Sequence, residues 1–64
     1  MTFIEAVKLM ADGEVMVLDN IKYRMNELGF IEEYEEETLK DWVPVIFELD
    51  DYLSENWEVK YEIH

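Results

Sequence analysis

The chain contains no cysteine, one proline, two glycines and one histidine, and only five lysines and arginines against seventeen aspartates and glutamates. Each scarcity excludes something. Without cysteine there is no disulfide and no thiolate metal site to staple a small fold. Two glycines do not build a phosphate-cradling loop, and neither a P-loop nor a dinucleotide fingerprint occurs. The single histidine, His64, is read as a frayed tail rather than a base. Thr2, Thr38 and Ser54 are the available hydroxyl nucleophiles and none has a base in view. Neither an enzyme nor a bound cofactor is therefore expected. Asp50, Asp51 and Glu55 lack the ligand alternation and turn glycine of a calcium loop, so only adventitious divalent binding is expected there.

The shortage of Lys and Arg argues against direct contact with DNA, RNA or an anionic membrane, since those side chains supply the attraction to phosphate. No apolar run approaches the ~18 residues of a membrane span, and no basic stretch precedes an apolar core. A soluble, cytoplasmic protein is expected. Its 64 residues suffice for one domain, 1–64. A domain of that size buries only ~60% of its unfolded surface, and a net charge of −12 opposes compaction further. A homodimer, or a tight partner, would relieve both difficulties.

What the chain has in excess is carboxylate, and it is unevenly placed. Up to Ile31 there are five acids and three bases; from Glu32 onward there are twelve acids and two bases. The densest stretch is Glu32, Glu33, Tyr34, Glu35, Glu36 and Glu37, followed by Asp41, Trp42, Asp50, Asp51 and Glu55. As a strand it would put Glu33, Glu35 and Glu37 on one face; as a helix start its acids would suit the N-terminal dipole. Like charges repel in either form, so a loop or strand edge is favoured.

The apolar pattern predicts an α+β domain. Thr2 and Glu5 have the spacing of a capping box. Phe3, Ile4, Val7, Met10 and Ala11 then recur at helical spacing up to a Gly13 cap, which predicts a helix over 3–11. Val15–Leu18 reads as a buried strand, Asp19-Asn20 as a tight turn, and Ile21, Tyr23 and Met25 as the apolar face of a second strand. Lys22 and Arg24 share its wet face, where they serve as a small anion site or as cross-strand partners for the acids. Gly29 turns the chain into a third strand at Phe30-Ile31. Pro44 makes residues 42–47 an edge strand. Leu49, Tyr52 and Leu53 suit one or two helical turns. Trp57, Val59, Tyr61 and Ile63 alternate with polar residues as a last strand. The architecture is an N-terminal amphipathic helix on a small antiparallel sheet, with a short second helical segment before the last strand.

Thr2-Phe3-Ile4-Glu5-Ala6-Val7 with Gly13 at the head, and Leu49-Asp50-Asp51-Tyr52-Leu53-Ser54-Glu55-Asn56-Trp57-Glu58-Val59 at the tail, resemble a group of small phage-encoded proteins that begin with an F-x-E-A helix and close with an L-x-x-D-W-E-V strand. That group includes the Thoeris anti-defence sponges, which bind cyclic ADP-ribose-like signals, and anti-CRISPR relatives. The resemblance covers about a third of the chain, at scaffold positions, and implies a fold and a phage origin, with action in the host cytoplasm. Where the sponge branch has a basic, Trp-containing loop after the helix, this chain has Glu14-Val15-Met16-Val17.

Two functions follow as expectations. In the first, the protein is an anti-defence or host-takeover inhibitor that binds a basic nucleic-acid-binding surface on a host or defence-system protein. Its carboxylates replace phosphates, and Tyr34, with Trp42 if it is exposed, serves as an apolar anchor. Alternate residues on a strand lie ~6.8 Å apart, comparable to stepping along a phosphate backbone. In the second it is a sponge for a cyclic nucleotide, with a pocket at a subunit interface lined by Tyr23, Arg24 and Trp57. A regulatory or assembly role without inhibition, and acids that merely confer solubility, stand beside both.

Overall fold

In the computed structural model, residues 1–35, 37–38 and 41–60 are described. Helix α1 spans Phe3–Ala11. It begins where Thr2 and Glu5 exchange bonds: the Glu5 amide donates to the Thr2 hydroxyl (3.3 Å), and the Thr2 amide donates to the Glu5 carboxylate (3.0 Å). It ends at Gly13, whose φ of +96° suits a residue without a side chain. Its packed face differs from the predicted stripe. Ala6 and Met10 are buried, with Phe3, Val7 and Leu9 against the same core, whereas Ile4 and Ala11 are exposed.

Strands β1 (Met16–Leu18) and β2 (Ile21–Met25) form a hairpin through Asp19 and Asn20. Both turn residues have positive φ (51° and 67°), the primed turn whose twist matches the strands it joins. Strand β3 (Ile31–Tyr34) follows a three-residue turn. There Gly29 has φ +87°, and the Asn26 carboxamide accepts from the amides of Leu28 and Phe30. Strand β4 (Val43–Pro44) closes that side of the sheet. Helix α2 (Leu49–Leu53) crosses to the other side, and β5 (Glu58–Val59) pairs with β1. The sheet is antiparallel in the order β4-β3-β2-β1-β5. The predicted last strand is met in Trp57 and Val59, which turn towards the core; Tyr61 and Ile63 lie outside the described residues.

Pro44 lies in the edge strand, as read, but of the predicted 42–47 only Val43–Pro44 is strand, and residues 45–47 leave it. The Val45 amide donates inward to the Ile31 carbonyl (3.3 Å), so the preceding residue turns its nitrogen to the solvent edge, where proline lacks nothing. The core is Ala6, Met10, Met16, Leu18, Tyr23 and Trp57. Phe3, Tyr23, Phe47 and Trp57 form an aromatic cluster with contacting centroids 5.0–6.0 Å apart, edge-to-face except for Tyr23 and Phe47, which are tilted at 30°. The Trp57 indole donates to the Asp51 carbonyl (3.2 Å), which ties α2 to the core. Tyr52 leans on Phe3 and Phe47, while Leu49 and Leu53 of the same short helix point outward. The aromatic cluster already fills the space that they were expected to occupy.

Candidate functional site

Strand register divides the charged residues between two faces. Met16, Leu18, Tyr23, Ile31 and Val59 point to the face that α1 covers, since paired residues share a side. The opposite face is open. It carries Val17, Lys22, Arg24, Glu32, Tyr34, Pro44 and Glu58 at alternating positions. On it Arg24 pairs with Glu32 across the ladder (3.1 Å) and lies over the Trp42 ring (4.2 Å). Lys22 lies over Tyr34 (5.6 Å), and Tyr34 and Trp42 stack at a tilt, 5.6 Å apart. Arg24 thus pairs with an acid across the sheet, as one of the two sequence readings had it, while Lys22 lies over an aromatic ring. Tyr34 and Trp42 are half-buried under their own cations instead of projecting as anchors.

The acidic stretch does not form a regular row. Glu33 is in β3 and points to the covered face, opposite Tyr23; Glu32 and Tyr34 point to the open face. Glu35 follows the strand, and its carboxylate accepts from the Thr38 hydroxyl (3.0 Å) in a turn that also holds Glu37. The spacing of a straight strand therefore ends before Glu35. Glu36 and Lys40 lie outside the described residues. Partial burial, then Asp51 and Glu35, hold the Glu33 carboxyl above its ordinary value.

Other predicted contact residues also serve local structure. The Asp41 carboxylate accepts from the Trp42 amide (2.9 Å). That of Asp51 accepts from the Glu48 amide (2.9 Å), and Asp50 and Asp51 lie in the first turn of α2, where the helix dipole favours acids. The Glu55 carbonyl receives the amino terminus (2.7 Å), while its side chain is exposed.

A polar cavity of about 440 Å³ lies beside the hairpin turn, lined by Val17, Asp19, Asn20, Lys22, Glu35, Glu37 and Lys60. Three carboxylates against two amines do not suit a phosphate anion. The pocket expected from Tyr23, Arg24 and Trp57 is not formed: Tyr23 and Trp57 are buried in the core, and Arg24 is on the opposite face. Among the described residues there is no cluster of three or more metal-ligating side chains, and no helix is long and apolar enough to cross a membrane.

Sequence reasoning missed a second, apolar groove beside β3 and β4, where Phe30 and Val45 are prominent. The unbroken apolar run of Trp42 to Phe47 was its signal, because an edge strand with one wet face would alternate. No family model, curated protein or solved structure matches the chain.

Proposed function

We propose that the protein is a stoichiometric inhibitor of the phage anti-defence kind, whose acidic surface occupies the nucleic-acid-binding surface of a basic host or defence-system protein. The observation that carries this reading is the polarity of the fold. Lys22 and Arg24 lie on the open sheet face with Glu32 and Glu58, and Lys60 lines a cavity with Lys22, Asp19, Glu35 and Glu37, so bases there partly offset the acids. The two helices and the segments around them carry Glu5, Asp12, Glu14, Glu48, Asp50, Asp51 and Glu55 against one base, Lys8. A one-sign field of this kind steers a cationic partner to the helix side and repels nucleic acid. The resemblance of the head and tail to phage proteins supports the anti-defence setting.

This moves the phosphate-like surface away from Glu32 and Glu35, which Arg24 and Thr38 engage, to Asp50, Asp51, Glu55 and their neighbours around α1. No catalytic step is invoked. The test is capture from host lysate, with washes at low and high salt and elution by DNA. The expected result is a nucleic-acid-handling protein released by salt and by DNA. A partner held through high salt and indifferent to DNA would refute phosphate replacement.

A further inference from the structure

Helix α2 spans Leu49–Leu53, and none of its residues is fully buried. Tyr52 fastens it by resting on Phe3 and Phe47, and the Asp51 carbonyl accepts from the Trp57 indole. The leucines take no part in this attachment. Leu49 and Leu53 are four residues apart, so they stand side by side on the helix, and each is 69% exposed. Ile46, just before the helix, is 93% exposed. A single exposed leucine is ordinary, but large apolar side chains gathered in one short segment mark a contact surface. Carboxylates belong to the same segment. Asp50 follows Leu49, and Glu55 lies two residues beyond Leu53; both are exposed, as is Glu48. The Asp51 carboxylate is engaged with the Glu48 amide (2.9 Å). Between Lys40 and Lys60 the sequence has no Lys or Arg.

We infer that Leu49 and Leu53 are the apolar centre of the contact with the protein's partner, which receives them in an apolar recess bordered by lysines or arginines. An apolar middle within a polar rim is the ordinary anatomy of a protein contact, and here both parts come from one segment. Charge chooses the occupant. A second copy joined through α2 brings Asp50 and Glu55 against their own equivalents, with a net −12 on each chain. A basic surface pairs with the same carboxylates instead. Exposed ion pairs contribute little one by one, so buried leucine area supplies grip that a phosphate backbone does not have. The inference rests on the proposed binding of a basic protein and adds the part of that contact that is not electrostatic.

The test uses the full chain, isotope-labelled for NMR, and three synthetic peptides of equal length. One is made of lysines and leucines; one has serines in place of the leucines; one has glutamates in place of the lysines. The first is expected to bind, with shifts centred on α2. The serine peptide should bind about tenfold more weakly, the loss expected when leucine area is left out of a contact. Leu49→Ser together with Leu53→Ser should weaken the first peptide by the same factor; both leucines are exposed, so the fold stands. Leu28→Ser, at a leucine 82% exposed between β2 and β3, should leave binding unchanged. Equal binding of the serine peptide, with shifts spread over the acids, would overturn the apolar centre while leaving the proposed function standing. Failure of both lysine peptides would remove both. Shifts centred on Phe30 would place the contact in the β3–β4 groove and overturn the inference. Binding of the glutamate peptide as tightly as the first would overturn the choice of a basic partner. A dimer in sedimentation that the paired leucine substitutions dissolve would give the surface to a second copy and overturn it too.

Discussion

Raising the pH through the titration of Tyr23 should unfold this protein for a reason traceable to one hydroxyl. Tyr23 is 3% exposed, in the middle of β2. Burial, then the negative charges of Asp51, Glu33, Asp19 and Glu35, push its phenol from the ordinary 10.0 up to about 12. The folded state therefore prefers the protonated form. That contribution is complete below pH 10, the unfolded value, and is lost as the pH rises towards 12. Two pH units at about 1.4 kcal/mol each come to roughly 3 kcal/mol. A domain of this length has about 3–10 kcal/mol of stability in all, so the loss is a large part of the whole. The assay is urea unfolding from about pH 9 to pH 12, on the natural chain and on Tyr23→Phe, which keeps the ring and removes the proton. Tyr23→Phe should lose much less stability over that interval. The difference in tyrosinate absorbance between the two proteins should titrate near 12, the value for this phenol. If Tyr23→Phe weakened as steeply as the natural chain, or the difference titrated near 10.0, the ordinary value, the reasoning would be wrong.

Other perturbations follow from the same structure. Glu33 is held protonated more readily when folded, so its ionisation costs stability as the pH rises above the ordinary carboxylate range. Glu33→Gln should raise the urea midpoint at neutral pH and leave it unchanged in acid. Trp57→Ala opens the aromatic cluster at a residue 1% exposed and should cost about 3–5 kcal/mol, enough to abolish a cooperative thermal transition. Thr2→Ala removes the cap of α1 and should cost about 1 kcal/mol in the same melt. Arg24→Ala breaks an exposed ion pair and should cost under about 1 kcal/mol. It should not weaken capture of a basic partner, whereas retention of a cyclic nucleotide through Arg24 would be abolished.

Much of the fold was legible because local chemistry and tertiary packing agree. The capping box, the Asp19-Asn20 turn, the two glycines and Pro44 each force a backbone state that few alternatives share, and each stands where it was read. Less legible was which apolar residues would be covered. Ile4, Leu49 and Leu53 fit helical stripes as well as Met10 does, yet each is more than 60% exposed. A short helix shows several residues at any azimuth, and packing against the core chooses among them. The candidate site was legible in composition and not in arrangement. Residue counts locate the excess acid, but only strand register shows that Glu32 and Glu33 point to opposite faces. The groove beside Phe30 forms where the start of β3 meets the end of β4, which no single stretch of residues reveals.

Pro44 also sets how this sheet can be extended. A strand arriving beside β4 would seek an amide hydrogen where the ring of Pro44 stands, and the ladder would fail at its first rung. Growth is left to the side of β5. An object that can join through one rim alone meets its copy once and has nothing further to offer. The same residue that ends the sheet therefore guards against stacking into fibres at high protein concentration.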